Sequence, residues 1–280
     1  MQKLPSVGVI VAVYNDVEAL SLIIDSLLAQ THIPDEIIVT EDAQHPQIKA
    51  YMDALNNDKI IHLSQKDDGW QKERALNNAI KASHSDYLIF IDGDCVPYTT
   101  FVKSHLELSE QDTALCGRRT EPGTRFSQML RDHTVSVEDF QKNHLKNYFS
   151  LARDNIRHYD EGLYFPPSSA LFALIHRIGR KESHIVGCNW SCYKKDLEMI
   201  NGYDEDFILP TTGEDTDIER RLRHFNVKMK SCRNAANVVH LHHKKIFNPE
   251  ISKKTEALME TKKEIFVCQN GLSKLNAPER

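Results

Sequence analysis

Residues 87–98 read YLIFIDGDCVPY, and the interpretation of the whole chain depends on how this stretch is understood. The apolar residues 88–91 run straight into Asp92, Gly93 and Asp94. Alternate residues of an extended strand point to the same side, so both carboxylates can face one site. Two like charges at this spacing need a cation, a shared proton or solvent. The tripeptide alone leaves three interpretations open: a metal site against a nucleotide diphosphate, the nucleophile and acid of a phosphatase, or a solvated turn.

Strands and helices alternate through the first third of the chain. Runs of β-branched and apolar residues predict strands at 7–14, 36–42, 59–63 and 87–92. Apolar residues at helical spacing predict helices at 17–30 and 70–83. This alternation predicts an α/β fold with a doubly wound, mostly parallel sheet. Ligands of such sheets bind beyond the carboxyl ends of the strands, so Asn15, Asp42 and Asp92 are expected at one rim.

The composition and the spacing of apolar residues change after residue 116. Residues 117–184 are rich in Arg, Lys and His, and the segment 139–159 has the spacing of an amphipathic helix, which predicts a helical insertion. Strand and helix patterns return in residues 185–247. Residues 248–280 are polar and are predicted to form a helical tail. We expect the four segments to fold as one integrated domain.

The composition is that of an ordinary soluble globular protein. Of 280 residues, 40% are hydrophobic and 27% are charged, and the net charge of −5 argues against a nucleic-acid partner. No stretch approaches the ~18 apolar residues of a membrane span, and the N-terminal apolar run is too short for a signal peptide. The six cysteines are scattered, and Cys188 and Cys192 lack a second pair that would complete a zinc site. This pattern is typical of free thiols, so a cytoplasmic protein is expected.

The phosphatase interpretation rests on the segment LIFIDGDCV, residues 88–96. It fits the Asp-x-Asp-x-Thr/Val signature of haloacid-dehalogenase-like enzymes, in which the first acid, here Asp92, is the nucleophile. In that family the motif normally lies on the first strand, whereas three predicted strands precede it here. The acids at 214–217 could imitate the last motif of that family, but nothing in it accounts for VAVYN or VTEDA.

A different family accounts for more of the chain. VAVYN, VTEDA, IDGD and GEDTD occur in this order and together resemble the inverting glycosyltransferases of the GT-A fold, in particular family 2 and its β-1,4-galactosyltransferase-like cousins. The resemblance covers roughly residues 5–116 and 185–247. It implies a GT-A sheet flanked by helices, with a nucleotide-sugar-binding half at 1–116 and an acceptor and catalytic half at 185–247. The insertion 117–184 would then shape the acceptor site.

By this resemblance, residues at three strand ends and on one helix would bind the nucleotide-sugar donor. The residues that would hold its nucleoside and phosphates are Val13, Tyr14, Asn15, Asp42, Lys72, Arg74, Asp92 and Gly93. Among these, Asp42 would accept a hydrogen bond from the base, and Arg74 would contact the diphosphate. Lys72 and Arg74 lie two residues apart on the predicted helix, so they do not share one face.

A divalent cation would stabilise the charge that develops on the leaving diphosphate. The resemblance implies Asp94 as a direct ligand, with Asp92 touching the cation, its water or the ribose. A histidine near the last strand completes the site in the galactosyltransferase cousins, and HLHHKK places His240 there, with His243 as the runner-up. Mn²⁺ or Mg²⁺ would suit the oxygen ligands, and a histidine ligand favours Mn²⁺.

The catalytic residues would lie on the capped helix predicted at 211–225. Inversion requires one carboxylate to take the proton of the attacking hydroxyl, and the resemblance gives this role to Asp215. Glu214 would orient the acceptor. Trp190 can either stack on the apolar face of a sugar or belong to the hydrophobic core, and Asn189 and Asp204 are expected beside the donor sugar.

The resulting expectation is an enzyme that moves a hexose or N-acetylhexosamine from a UDP-sugar, with inversion, to a glycan hydroxyl. Lipopolysaccharide or capsule synthesis is the expected setting, with a lipid-linked acceptor and peripheral attachment to the inner membrane face through 117–184. A sugar nucleotidyltransferase remains an alternative, but it needs a Gly-rich phosphate loop near the N-terminus, and VGVIVAVYN has none. A glycan-binding protein would keep Trp190 but would have no use for Asp94 and Asp215 together.

Overall fold

The computed structural model describes residues 4–178, 182–210, 213–244 and 248–274. Within these ranges the chain forms two β-sheets and helices that cover both faces of the larger one. The strands are β1 (Val7–Val13), β2 (Glu36–Glu41), β3 (Ile60–Ser64), β4 (Tyr87–Asp92), β5 (Cys95–Pro97), β6 (Thr113–Cys116), β7 (Arg118–Thr120), β8 (Trp190–Tyr193), β9 (Lys228–Ser231) and β10 (Asn237–His240). None of the described helices combines the length and the apolar character that crossing a bilayer requires.

The larger sheet has seven strands in the order β3-β2-β1-β4-β8-β6-β9. Strands β1 to β4 are mutually parallel, β8 runs antiparallel to its neighbours β4 and β6, and β9 is parallel to β6. The smaller sheet has the order β5-β10-β7 and lies beyond the end of β4. The predicted α/β fold with a mostly parallel sheet is therefore confirmed.

The helices connect these strands and flank the sheet. They are α1 (Val17–Leu28), α2 (Pro46–Ala54), α3 (Lys72–Ala82), α4 (Phe101–Leu108), α5 (Thr124–Arg131), α6 (Val137–Asn143), α7 (Tyr148–Arg153), α8 (Ala170–Ile178), α9 (Lys194–Met199), α10 (Gly213–His224) and α11 (Pro249–Lys262), with a 3-10 turn at Tyr159–Gly162. Helix α1 begins after Asp16, whose side chain accepts a hydrogen bond from the backbone N–H of Ala19 at 2.9 Å. The backbone after β1 thus passes directly into a capped helix.

The large sheet separates two hydrophobic cores. Val9 and Val11 of β1 share one core with Ile23 of α1, whereas Ile10 shares the other with Ile80 of α3. Successive residues of a strand point to opposite faces, so a strand covered on both sides is a continuous apolar run. This requirement explains the composition of β1, and each such side chain contributes about 1.5–3 kcal/mol on burial.

The segment 139–159 is not the single helix that its spacing predicts. Helix α6 ends at Asn143, a turn follows, and α7 begins at Tyr148. Asn143 and Asn147 border the break, and asparagine is a weak helix former. The apolar positions keep their spacing through the turn because the backbone N–H of Asn147 still donates to the Asn143 carbonyl, at 2.8 Å.

The tail is helical only in its first half. After α11 the chain folds back on the loop that follows α9, where Asn201 donates to the carbonyls of Cys268 and Ser273 at 2.7 and 2.9 Å. At the end of α11, Lys262 pairs with Asp204 at 2.5 Å. The expected helix over 248–280 is therefore corrected to α11 followed by an irregular segment, and residues 275–280 lie outside the described ranges.

Candidate active site

The candidate site lies at the carboxyl ends of three neighbouring strands. Strand β1 lies between β2 and β4, with Val13 opposite Glu41 and Ala12 opposite Asp92. The backbone N–H of Asp42 donates to the carbonyl of Val13 at 3.0 Å, so the ends of β1 and β2 are tied together. The polar residues that follow β1, β2 and β4 therefore lie at one rim, as the sequence predicts.

A glycine lets the chain turn sharply between the two acids of the Asp-Gly-Asp segment. A Cβ atom on Gly93 would lie 2.8 Å from Val13 Cγ1 and 2.9 Å from the Ala12 carbonyl oxygen, closer than packing permits. Strand β4 ends at Asp92, so the alternation of an extended strand does not continue to Asp94. The two carboxylates consequently have different partners instead of sharing one.

Asp94 lies in a cluster with two histidines from the end of the chain's last described strand. Among the described residues, Asp94, His240 and His243 each place one ligand atom within 4.8 Å of the others. Asp94 Oδ2 lies 3.4 Å from His240 Nε2 and 3.2 Å from His243 Nε2. Strand β10 brings them together, because it pairs with β5 in a register that sets His240 opposite Cys95.

The electrostatics of this cluster suit a divalent cation. Burial favours the protonated form of Asp94, but its hydrogen bond with His243 and the positive charge that His240 carries when it is protonated lower the pKa of Asp94 to about 2. Burial lowers the pKa of His240, which keeps that imidazole neutral and able to offer a lone pair. One carboxylate and two imidazoles fit Mn²⁺ better than Mg²⁺, which prefers oxygen ligands. These residues therefore fit the cation that the sequence predicts.

Asp92 pairs with a lysine and lies outside this cluster. Lys72, at the start of α3, places its Nζ atom 2.8 Å from Asp92 Oδ1 and 3.9 Å from Glu214 Oε1. Burial alone would lower the pKa of Lys72, but the charges of Asp92 and Glu214 raise it well above its usual value. Asp92 is not one of the three residues of this cluster, which contains His243 instead, so the contact of Asp92 with the cation, its water or the ribose stays a prediction.

Asp215 occupies the first turn of α10, where the helix dipole favours a negative charge. Its Oδ2 atom accepts a hydrogen bond from the backbone N–H of Gly187 at 2.8 Å. Burial raises the pKa of Asp215 to about 6, and the charge of Lys72 opposes that rise. Burial likewise raises the pKa of the adjacent Glu214. A carboxylate with a pKa near neutrality is poised to accept a proton at physiological pH.

A second polar network lies on the other side of α3, where the nucleoside is expected. Asp42 accepts hydrogen bonds from Gln65 Nε2 at 2.7 Å and from the backbone N–H of Gln71 at 2.8 Å. Arg74 Nε donates to Gln65 Oε1 at 3.1 Å, so Gln65 links the predicted base contact to the predicted phosphate contact. Burial raises the pKa of Asp42.

Tyr14 and Asn15 lie at the outer edge of the rim. The Tyr14 side chain is half exposed, and its hydroxyl donates to Asp67 Oδ2 at 3.1 Å. Asn15 is exposed, whereas Val13 is buried and takes part through its backbone. Tyr14 and Asp67 thus join the loops after β1 and β3 beside Asp42.

Trp190 does not line the site. It is fully buried, and its ring stacks on Phe90 with the centroids 4.6 Å apart and also contacts Tyr203 edge-on. It belongs to β8, which pairs with β4 in the interior of the sheet, with Trp190 opposite Phe90. The prediction that its ring stacks on a sugar is corrected: the tryptophan is part of the hydrophobic core.

Asn189 and Asp204 also have structural partners instead of a place beside the donor sugar. Asn189 is fully buried and donates to the carbonyls of Arg118 and Ala236, both at 2.8 Å. Asp204 is buried against the tail, where it pairs with Lys262 at 2.5 Å. Both sugar-contact predictions are corrected, because the backbone groups and the cation that these side chains satisfy come from segments distant in sequence.

Two residues near the site were not found from the sequence. Arg119 Nη1 donates to Cys188 Sγ at 3.0 Å, and its positive charge lowers the pKa of both Asp215 and His240. Gln65, at the end of β3, orients Asp42 and Arg74. Gln65 could be predicted because it follows a strand of the parallel sheet. Arg119 lies on a strand of three residues, which is too short to show a periodic pattern.

Two protein families match this chain. The family described as "Glycosyl transferase family 2" matches residues 8–198, which includes β1 to β4 and both acids of the Asp-Gly-Asp segment. The family described as "N-terminal domain of galactosyltransferase" matches residues 176–244, which includes Asp215 and His240. These matches support the transferase interpretation over the phosphatase and nucleotidyltransferase alternatives.

Several proteins in these families resemble parts of the chain. The hyaluronan synthase of Pasteurella multocida is 31% identical over 119 residues, which are 40% of this chain and 12% of that protein. The chondroitin synthase of Escherichia coli is 30% identical over 118 residues, 40% of this chain and 17% of that protein. The matched region is thus less than a fifth of the length of either synthase.

Solved structures share the fold at much lower identity. GalNAc-T7 with UDP, GalNAc and Mn²⁺ has a TM-score of 0.60 at 12% identity, covering 93% of this chain and 48% of that one. The mannosyltransferase PcManGT from Pyrobaculum calidifontis, in complex with GDP-Man and Mn²⁺, has a TM-score of 0.55 at 14% identity, covering 87% and 59%. These similarities show that the fold is GT-A. Because the first family match covers more than half of the residues, the chain belongs to glycosyl transferase family 2.

Proposed function

We propose that this protein is a metal-dependent, inverting glycosyltransferase that moves a hexose or N-acetylhexosamine from a UDP-sugar to a glycan hydroxyl. The observation that carries the proposal is the arrangement of two acidic centres on either side of Lys72. Asp92, two residues from the Asp94 cluster, and Glu214, next to Asp215, both lie within 3.9 Å of the Lys72 ammonium group. A cation site and a proton acceptor would therefore be connected through one partly buried charge.

The side chains have distinct tasks in this proposal. Asp94, His240 and His243 would hold a cation such as Mn²⁺, which when bound supplies positive charge to the donor's diphosphate. Asp42, positioned by Gln65, would accept a hydrogen bond from the base, and Arg74 would contact the phosphates. The acceptor would bind on the side of Asp215 and Glu214.

Asp215 would accept the proton of the acceptor hydroxyl as that oxygen attacks the anomeric carbon from the side opposite to UDP. Its pKa of about 6 leaves it mostly ionised at neutral pH. Glu214 would orient the attacking hydroxyl, and the Gly187 N–H fixes the Asp215 carboxylate so that one oxygen stays available. Inversion follows from this single displacement, with no covalent sugar on the enzyme.

The names of the relatives support the proposed substrate class. The two curated relatives are named for hyaluronan and chondroitin, which are polysaccharides, and two solved neighbours carry a nucleotide or nucleotide sugar with Mn²⁺. We extend this to surface polysaccharide synthesis, of lipopolysaccharide or capsule, on a lipid-linked acceptor at the inner face of the cytoplasmic membrane. In this setting residues 117–184 would form the acceptor side, and 185–247 would supply the catalytic base.

Replacement of Asp215 by asparagine tests the proposal. Asp215→Asn keeps the side-chain shape and should bind UDP in the presence of Mn²⁺ as wild type does, while the release of UDP from UDP-sugars falls by about 10²–10⁴-fold, the usual contribution of a general base. Calorimetry measures binding, and a screen of UDP-sugars with and without glycan acceptors measures turnover. The matched control is Asp58→Asn, at an exposed position. Unchanged turnover in Asp215→Asn would remove Asp215 as the base.

A further inference from the structure

The segment 117–184 exposes more apolar surface than its packing explains. At the junction of α6 and α7, Leu145 is 70% exposed, Tyr148 47% and Phe149 75%. They are spaced i, i+3 and i+4 in nearly continuous helical backbone, so they form one face. Buried residues of the same segment, such as Leu151, already supply its contact with the core.

Helix α8 repeats this arrangement. Phe172 points into the core, whereas Leu171, Leu174 and Ile178 are 48, 51 and 76% exposed. Their spacing of i, i+3 and i+7 places them on one side of the helix, opposite to the side that Phe172 uses. An amphipathic helix that keeps an apolar stripe toward solvent lacks a covering element.

The two exposed stripes border the same turn. The Tyr148 ring contacts the Tyr159 ring edge-on, with centroids 5.0 Å apart, at the start of the 3-10 turn Tyr159–Gly162. On the other side, His176 of α8 bonds the carbonyl of Arg233, whose side chain pairs with Glu161 of that turn at 2.6 Å. The two stripes therefore flank the same 3-10 turn, and that turn contacts β10, the strand that carries His240.

The charged residues within the two segments that carry these stripes are all positive, whereas the acids of the turn between them, Asp160 and Glu161, pair with Arg233. Residues 140–153 and 162–178 contain no Asp or Glu, although the chain as a whole carries a net charge of −5. Lys146, Arg153 and Arg177 are exposed, and no described acidic side chain pairs with any of them. Exposed aromatic and aliphatic side chains with a basic rim form the pattern of a helix that lies in the surface of an anionic bilayer.

We propose that Leu145, Tyr148 and Phe149 together with the exposed stripe of α8, hereafter the basic-apolar face, dock this protein on an anionic lipid bilayer. The apolar side chains would enter the boundary between headgroups and acyl chains, and Lys146, Arg153 and Arg177 would contact lipid phosphates. A second copy of this chain is a poorer partner, because an isologous interface would bring the like-charged rims together.

This inference rests on the proposed function and adds to it the surface that would bring the enzyme to its acceptor. A lipid-linked acceptor has to be reached at a membrane, and β10 connects the basic-apolar face to the histidine cluster. The binding itself does not require turnover, so the two proposals are tested by separate readouts. Vesicle binding can fail while UDP binding and turnover persist, and the reverse also holds.

Vesicle flotation tests the inference directly. The full chain should float with phosphatidylcholine vesicles that contain phosphatidylglycerol, and float much less with pure phosphatidylcholine vesicles or at high salt, because salt screens the basic rim. The double variant Leu145→Ser/Phe149→Ser should bind anionic vesicles about tenfold more weakly, since it removes two of the largest apolar groups. Mn²⁺-dependent UDP binding should be unchanged in it, which also shows that it is folded.

Two matched variants separate the basic-apolar face from general effects. Ile33→Ser removes an apolar residue outside 117–184 that is 48% exposed, and Lys81→Glu/Lys228→Glu reverses two exposed charges elsewhere. Both should float like wild type, whereas Lys146→Glu/Arg153→Glu should lose anionic vesicle binding. Equal flotation of all variants, or none by wild type, would overturn the inference. Self-association in light scattering that Phe149→Ser abolishes would also overturn it, in favour of a second copy.

Discussion

Lys72 carries the positive charge that lies between Asp92 and Glu214. Burial raises the pKa of Asp215 to about 6, and the Lys72 ammonium group opposes this rise. Lys72→Gln should therefore raise the pKa of Asp215 further, by roughly one unit, as expected when a neighbouring opposite charge is lost. A base with a higher pKa is protonated, and so inactive, up to a higher pH. The acidic limb of the kcat–pH profile should move upward by the same amount.

The measurement is kcat at saturating donor across the acidic to neutral range. Lys81→Gln is the matched control, because Lys81 is exposed on the same helix. An altered KM alone would indicate only a lost phosphate contact. A uniformly lower kcat with an unshifted acidic limb would contradict the role of Lys72 in setting the pKa of Asp215.

Individual site residues were predictable where their position followed from the strand pattern. Asp42 and Asp94 follow predicted strands, and the parallel sheet brings their segments to one rim. The sequence leaves Trp190 open between the core and a sugar contact, because a residue next to a motif can face either, and only its pairing with β4 decides this. His243 can lie beside Asp94 together with His240 because β10 ends at His240, so His243 does not follow the alternation of the strand.

At the scale of elements, the position of the proposed base, Asp215, depends on a contact between the loop before β8 and the first turn of α10. A Cβ atom on Gly187 would lie 2.6 Å from Asp215 Oδ1, and the Gly187 N–H holds the other carboxylate oxygen. Gly187→Ala should displace the carboxylate instead of the backbone, because the nearest atom is the end of a side chain. A displacement of about 1 Å costs on the order of 10²-fold in turnover.

The expected signature of Gly187→Ala is a lower kcat with unchanged Mn²⁺-dependent UDP binding and an unchanged thermal midpoint. Steady-state kinetics, calorimetry and thermal unfolding measure the three quantities. Full turnover in this variant would show that the Asp215 position does not matter to the reaction. Loss of UDP binding instead would place Gly187 on the donor side.

The elements themselves divide into predictable and unpredictable groups. Strands β1, β2, β3 and β4 are long or central enough to carry a recognisable apolar pattern. Strands β5, β6, β7 and β9 have three or four residues each, too few for a periodicity, and their pairing partners are distant in sequence. Helix α2 was also missed, because its apolar stripe is only Ile48 and Met52 among polar neighbours.

At the scale of the whole molecule, the site unites both halves of the chain. Asp94 comes from the first half, and Asp215 and His240 come from the second, with residues 117–184 between them. The order of the motifs predicted that the halves would meet. It could not show which strand joins them, because the antiparallel pairing of β5 with β10 rests on three residues of each.

The most direct test of this account is the Mn²⁺ dependence of UDP binding, measured by calorimetry on the wild type and on His240→Ala/His243→Ala. The double variant removes two of the three groups around the cation and leaves Asp42, Arg74 and Asp215 in place. The account predicts that the wild type binds UDP with Mn²⁺ and loses at least about tenfold in affinity with EDTA, and that the variant binds weakly in both conditions. Equal UDP affinity with Mn²⁺ and with EDTA, or full Mn²⁺-dependent binding by the variant, would contradict it.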